Sequence, residues 1–524
     1  MLDPSQVEHV FALDGVPARP VFSFAVGLAN VGLEPTTVTV RFEAILERPS
    51  GESTTLYQED RSQPGWVEER IDLAPFNLDG ARLVLRKTLI EGSEYRFRYS
   101  GWGDPVFVPS EPPRRPSVIL ISIDTLRADR VGLYGYAPAR TPVLDAFGRS
   151  GVWYEQVYSP STWTVPSHAS LLFGRHLAGM PVLPTPQAGS TPVAPDGSLR
   201  PLSEIFRAAG YLTAGFTGGG FLSNAYGFPR GFDTYFEFSA APYPEHECPP
   251  ERFDGPEVFQ RATEWLRDRG RAPFFLFLHT YDVHDRCPFR KGTKGFGPWP
   301  ALTPEENERL LGFYDDLIAG VDARIGNFLR QLDKLGLTDN TLVVITSDHG
   351  EFFQEHGLRG HGAAKPYEEL VKVPLLIRYP GVLRKPARVT PAVSLVDVAP
   401  SILALVGLAS DPGTQGRVLP GLNRAPARAS SPIYVVWDHL LAVRQGTLKL
   451  IASRTGKFPD EVYDVENDRQ EQHNLVSKPG PVAATLRQLA DAFWKNQAPG
   501  QERTPQPEVD PQTRERLRAL GYEQ

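Results

Sequence analysis

Four residues spread along this chain could together grip a cation and turn an alcohol into a nucleophile: Asp124, Thr164, Asp348 and His349. Two carboxylates, an imidazole and a hydroxyl form the mix of oxygen and nitrogen donors that suits tetrahedral zinc, and such donors also accept manganese, magnesium or calcium. The threonine needs such help, because a free aliphatic hydroxyl attacks poorly at neutral pH unless a metal stabilises its alkoxide. Thr164 lies in Ser161-Thr-Trp-Thr-Val-Pro-Ser-His-Ala-Ser-Leu-Leu-Phe-Gly174, just ahead of Pro166 and an apolar run. Proline is at home in the first turn of a helix, where its missing N–H costs nothing. The spacing therefore places Thr164 at or just before a helix N-terminus, where backbone N–H groups and the helix dipole welcome the negative charge of a transferring group. By itself the stretch reads equally as a plain helix cap.

The elements that must position these residues are legible too. Val118–Ile121, Phe274–Leu278 and Leu342–Ile345 are continuous apolar runs, as expected of strands buried on both faces of a parallel sheet. The runs lead into Asp124-Thr-Leu-Arg-Ala-Asp129, His279-Thr-Tyr-Asp-Val-His284 and Ser347-Asp-His-Gly-Glu351. Ligands of open α/β sheets sit beyond the carboxyl ends of the strands. Helical stretches lie between the runs. The clearest opens with the capping box Thr303-Pro-Glu-Glu306 and repeats apolar residues at Leu310, Tyr314, Leu317, Val321, Ile325, Phe328 and Leu332, one face of a helix. Strands alternating with helices predict an α/β domain with a mainly parallel sheet flanked by helices.

The stretch around Thr164 resembles the sulfatase signature, in which Cys or Ser precedes x-Pro-Ser-Arg and an apolar helix ending in Gly. Gly231-Phe-Asp233, and Tyr367-Glu-Glu369 through Val373-Pro-Leu-Leu-Ile377, extend the resemblance across residues 116–522. It implies an alkaline-phosphatase-like core. It also implies that Thr164 holds the position of the residue that sulfatases oxidise to formylglycine, and that His168 replaces the Arg. Threonine would yield a ketone rather than an aldehyde, so the resemblance points to the phosphoryl-transfer branch of the alkaline phosphatase superfamily. Where sulfatases carry a second Asp and bind calcium, this chain has Thr125, which favours zinc. His284 matches the His of an Asp-x-His element that contacts sulfate, and His361 falls near a substrate-binding Lys. Either imidazole could protonate a leaving oxygen. Asp282, His284 and His361 could instead hold a second metal, as in two-metal phosphodiesterases. Arg127 could touch substrate or pack against the metal loop, His168 is a candidate substrate contact whose role is open, and Lys365 is either a displaced substrate-contacting cation or a solvated lysine. The implied activity is metal-dependent hydrolysis of a phosphate mono- or diester, or a phosphonate ester, through Thr164. Sulfuric ester hydrolysis without formylglycine, phosphoryl transfer to an alcohol, and glycan binding without catalysis are the alternatives. The substrate is a small molecule or a glycan- or lipid-linked ester.

The rest of the chain sets bounds. Its 524 residues exceed one hydrophobic core and divide into residues 1–110, 116–425 and 426–524. The first segment alternates Val38, Val40, Phe42 and Ala44 with polar neighbours, and Tyr95, Phe97 and Tyr99 with Arg96 and Arg98. That period of two predicts a β-sandwich, and Trp102-Gly-Asp-Pro-Val106 resembles the last strand of galactose-binding-like jelly rolls. Pro109–Pro116 reads as a linker. The last segment reads as a small antiparallel sheet followed by a helix near Val482–Trp494, and with its tail Leu517–Tyr522 resembles the C-terminal subdomain of sulfatases. A net charge of −7 offers no basic face for nucleic acid. The two cysteines, Cys248 and Cys287, allow one disulfide at most. No transmembrane run or signal segment is read in the chain, so a cytoplasmic location is expected as written, and a periplasmic or secreted one if a signal was removed.

Overall fold

All three apolar runs enter one eight-stranded sheet, in the order Thr234–Glu237, Leu212–Thr217, Phe274–Thr280, Ser117–Ile123, Thr341–Ser347, Leu375–Arg378, Val152–Tyr154, Ala387–Val389. The first five strands are parallel; Leu375–Arg378 runs against both neighbours, and Ala387–Val389 is parallel to Val152–Tyr154. The structure, a computed structural model, describes residues 6–14, 16, 20–29, 39–63, 65–91, 99–109, 115–176, 199–238, 255–284, 301–361, 365–422, 431–437, 439–476 and 481–496. Cys248, Cys287, Tyr95, Phe97 and the tail Leu517–Tyr522 lie outside the described residues.

Side chains alternate across a strand, so an unbroken apolar run must have a core on each side. Val118, Leu120, Phe275, Phe277, Leu342 and Val344 pack on one face with the helices Thr164–Phe173, Leu202–Ala208 and Val398–Val406. Ile119, Ile121, Leu276, Leu278, Val343 and Ile345 pack on the other with the helices Pro142–Arg149, Gly255–Arg269 and Pro304–Lys334. The last of these begins as its sequence predicts. Thr303 Oγ1 accepts the Glu306 N–H at 3.2 Å, and Glu306 Oε2 accepts the Thr303 N–H at 2.8 Å.

The chain forms two compact units, residues 1–114 with 267–272, and residues 115–266 with 273–524. In the first, strands Gln6–Ala12, Arg82–Glu91, Thr39–Glu47 and Ser53–Arg61 form one antiparallel sheet, and Gly65–Asp72, Pro20–Ala29 and Tyr99–Pro109 another. Val40, Phe42 and Ala44 are buried with Phe22, Phe24 and Leu83 in one core, the buried half of a period-two pattern. The second unit also holds the C-terminal sheet Ile433–Trp437, Leu440–Gln445, Leu448–Ser453, Glu461–Asp464. One face of this sheet packs on the helix Pro481–Asn496 through Leu486, Ala490 and Phe493. The other face packs on Tyr158, Phe352, Tyr367, Leu370 and Val371. No helix among the described residues is long and apolar enough to cross a membrane.

Candidate active site

Strand register brings the two carboxylates together. Ser117–Ile123 and Thr341–Ser347 run parallel with Ile123 opposite Ser347, so Asp124 and Asp348 leave neighbouring strands at the same level. The Asp124 N–H donates to Thr280 O at 3.0 Å, tying it to the third strand. The next residue, Thr125, has φ +58°, a conformation that costs a β-branched residue energy and persists only where its surroundings impose it. Its N–H lies 3.3 Å from Asp348 Oδ1 and its carbonyl accepts the Tyr314 hydroxyl at 2.6 Å. After Asp348 the chain needs glycine at Gly350, where a Cβ would fall 2.0 Å from Glu369 O.

Thr164 is the first residue of the helix Thr164–Phe173, entered from an extended Trp163 and closed by Gly174 in the left-handed conformation. The Ser167 hydroxyl, one turn in, donates to Asp348 O at 2.6 Å and so fastens the helix start to the strand tip. Asp124, Thr164, Asp348 and His349 are all fully buried. Thr164 Oγ1 lies 3.4 Å from Asp124 Oδ2 and 3.4 Å from His349 Nε2. His349 Nδ1 lies 2.8 Å from Gly350 O. A carbonyl only accepts, so Nδ1 carries the proton and the Nε2 lone pair faces the site. That lone pair is 3.3 Å from Asp348 Oδ2 and 4.0 Å from Asp124 Oδ1. Lone pairs on buried donors so close repel unless a positive charge lies among them. One ligand atom each from Asp124, Asp348 and His349 lie mutually within 4.8 Å, the one such grouping among the described residues. The set fits a divalent cation.

Other histidines surround this group. His279 Nε2 is 3.3 Å from Asp124 Oδ2. His168 is fully buried, with Nδ1 2.9 Å from Thr164 O and Nε2 2.9 Å from Ser122 Oγ. Desolvation holds its pKa at about 3 even though Asp348 pulls the other way, so the ring is neutral. His361 lies with its ring 4.5 Å from that of His349 and 4.9 Å from that of His284, and its Nδ1 is 3.2 Å from Glu351 Oε1. His361 therefore stands beside His349, and His284 beside His361. Sequence reasoning did not single out His279, Ser122 or Glu351. The register that sets His279 opposite Ser122, two residues before Asp124, is the signal that finds the first pair.

Some expectations need correction. Of the two roles open to Arg127, packing is the one seen: its guanidinium makes a two-pronged pair with Asp129 at 2.9 and 2.7 Å and also meets Glu355 at 2.7 Å and Glu351 O at 3.0 Å. It braces the loop after Asp348. Asp282 does not join His284 and His361 around a second metal, because its carboxylate takes the Gly255 N–H at 3.0 Å, at the start of a helix, and Arg324 at 3.0 Å. His168 has both ring nitrogens engaged inside the protein, which leaves it no reach toward substrate. Lys365 pairs with Glu461 of the C-terminal sheet.

A mainly parallel α/β sheet thus carries Asp124, Asp348 and His349 at its strand tips, with the helix-start hydroxyl of Thr164 beside them. Comparison with known proteins gives the class. The family model described as Sulfatase matches residues 116–408, and that described as N-sulphoglucosamine sulphohydrolase, C-terminal, matches residues 355–498. The chain belongs to the sulfatase family, whose members are ester hydrolases. It is 27% identical over 424 residues to the ulvan-active sulfatase of Formosa agariphila, covering 73% of this chain and 81% of that one. It is 26% identical over 458 residues to human arylsulfatase A, covering 72% and 86%. The phosphonate monoester hydrolase of Agrobacterium radiobacter shares the fold at a TM-score of 0.59 and 19% identity, covering 73% of this chain and 95% of that one.

Proposed function

We propose that this enzyme hydrolyses a phosphate mono- or diester, or a phosphonate ester, with Thr164 Oγ1 as the nucleophile. The observation that carries this reading is the residue itself, a threonine at the helix start with its hydroxyl 3.4 Å from both Asp124 and His349. A secondary alcohol oxidises to a ketone, so the aldehyde chemistry of formylglycine is closed to it. Asp124, Thr164, Asp348 and His349 would hold a divalent cation, zinc in our reading, which when bound makes an alcohol more acidic and offsets charge on the transferring group. Asp124 Oδ2 receives the Thr164 proton. Thr164 Oγ1 then bonds to phosphorus as the ester P–O bond breaks, with His284 or His361 giving a proton to the departing oxygen. Water then attacks the phosphothreonine phosphorus, giving a proton back to that histidine, and as the P–Oγ1 bond breaks Asp124 returns its proton to Oγ1, restoring the hydroxyl. The buried N-terminus of the helix Thr164–Phe173 favours the negative charge throughout. We read the N-terminal unit, with its two antiparallel sheets, as a jelly-roll-like sandwich in a structural role.

The relatives named as sulfatases favour a second reading, sulfuric ester hydrolysis by the same hydroxyl. Steady-state assays with nitrophenyl phosphate, bis-nitrophenyl phosphate, a phenylphosphonate ester and nitrophenyl sulfate separate the two, after metal analysis and reconstitution. The expected result is one equivalent of metal, activity lost on chelation, and the fastest turnover on a phosphorus ester. Preference for nitrophenyl sulfate would transfer the assignment to the second reading.

A further inference from the structure

The two carboxylates proposed as metal ligands each have a buried histidine behind them. The strands Ser117–Ile123 and Phe274–Thr280 run side by side with Ser122 opposite His279. Both residues sit beneath the level of Asp124, away from the solvent end of the sheet, and both are fully buried. His279 Nε2 is 3.3 Å from Asp124 Oδ2, the oxygen that also lies 3.4 Å from Thr164 Oγ1. A carboxylate accepts, so the His279 Nε2–H donates. His168 comes from the helix of Thr164 and stacks edge-on against His279, ring centres 4.9 Å apart. Its Nδ1–H donates to Thr164 O at 2.9 Å and lies 3.3 Å from Asp348 Oδ2. That proton is fixed on Nδ1 because the Thr164 carbonyl can only accept, and Nε2 of the ring then takes the Ser122 hydroxyl at 2.9 Å. One N–H thus addresses Asp124, and the other binds the backbone of Thr164 close beside Asp348.

The geometry points to His279 and His168, the latter braced by Ser122, as positioning residues for a bound cation: His279 aims the Asp124 carboxylate, and His168 holds the Thr164 backbone, and with it the hydroxyl, beside Asp348. A carboxylate free to rotate spends entropy when it binds metal; one already held by an N–H, as Asp124 is, spends less. Groups that orient metal ligands in this way alter affinity by about 10- to 100-fold when removed. The inference rests on the cation site proposed above.

The test is calorimetric titration of chelator-stripped full-length protein with Mn²⁺ alone and Zn²⁺ alone, with thermal unfolding of each metal-free variant as a folding control. His279→Ala and His168→Ala are expected to weaken binding by about 10- to 100-fold. His279→Gln places an amide N–H where Nε2–H was, and His168→Asn does the same for Nδ1–H; each is expected to recover most of the loss. Ser122→Ala removes only the hydroxyl that braces the His168 ring at Nε2, so it tests the idea in a protein whose packing is nearly intact, and weaker binding is expected there too. Equal affinity across wild type, Ala, Gln and Asn variants would overturn the positioning role while leaving the cation site standing. Failure of the wild type to bind either ion would overturn the cation site and this inference together.

Discussion

Thr164→Ala is expected to lower kcat by about 10³-fold or more, the scale on which removing an enzyme's covalent nucleophile is felt. Its fold should survive. The two polar contacts of Thr164 Oγ1 are long, 3.4 Å each, and a neutral hydrogen bond contributes only about 0.5–1.5 kcal/mol net. The helix start is also held by Ser167 on Asp348 O and by His168 on Thr164 O, a backbone atom that the substitution keeps. Unchanged thermal unfolding with lost turnover is therefore the outcome that isolates chemistry from structure. A quenched reaction of the wild type should show a phosphoryl group on the peptide containing Thr164, and the variant should show none. Substantial residual turnover in Thr164→Ala would remove the hydroxyl from the mechanism, whatever the metal content. Thr164→Ser keeps an alcohol at the same helix position and should retain activity on phosphorus esters.

The catalytic sheet was readable because a doubly buried strand has a simple signature. Leu120 and Ile121 face opposite cores, yet both must be apolar, and the run stops where the strand reaches the site. Asp124, Asp348 and His349 stand at those stops, and Thr164 stands at a helix start marked by Pro166. Their nearness follows from register, since a parallel sheet aligns the ends of neighbouring strands. What the sequence concealed is the pairing of each remaining charge. Arg127 lies near Asp124 in sequence, but Asp129 two positions on captures its guanidinium. Asp282 lies near His284, but Arg324, from a helix in the facing layer, neutralises it. Residue type states which interactions a side chain can make; the packing of distant elements decides which one it makes. His279 was hidden for the opposite reason. It is the polar end of an apolar run, and only the register opposite Ser122 shows that it lies beneath Asp124.

Lys449→Met is expected to destabilise the protein by about 3–5 kcal/mol, the range for breaking a buried ionic group by removing one partner. Lys449 lies on the strand Leu448–Ser453 with its side chain 1% exposed. Its ammonium is 3.1 Å from Glu368 Oε1 and 3.0 Å from Glu471 Oε1. Burial alone would push its pKa down, but Glu471 and Glu368 outweigh burial and hold it above the ordinary lysine value. Glu368 Oε2 accepts the Tyr158 hydroxyl at 2.9 Å, and Glu471 Oε2 accepts the Glu368 N–H at 2.6 Å. This cluster pins the C-terminal sheet to the segment that follows His361. Methionine fills the space of the stem but leaves two buried carboxylates facing one another with no cation between them.

The pH dependence has a definite sign. Desolvation raises the Glu471 pKa to about 7 from 4.5, against the pull of Lys449. The folded state therefore binds this proton more tightly than the unfolded chain. The associated stability is fully present below pH 4.5 and is lost as pH rises through about 7. Without Lys449 the two carboxylates raise each other further, so the deficit of the variant should be larger at pH 8 than at pH 5. Urea unfolding of both proteins at the two pH values measures this directly. A loss below about 1 kcal/mol, the scale of an exposed ion pair, or one independent of pH, would mean that the sheet is held by Ile433, Val435, Ile451 and Tyr463 against Tyr158 and Leu370, with the buried charges merely tolerated.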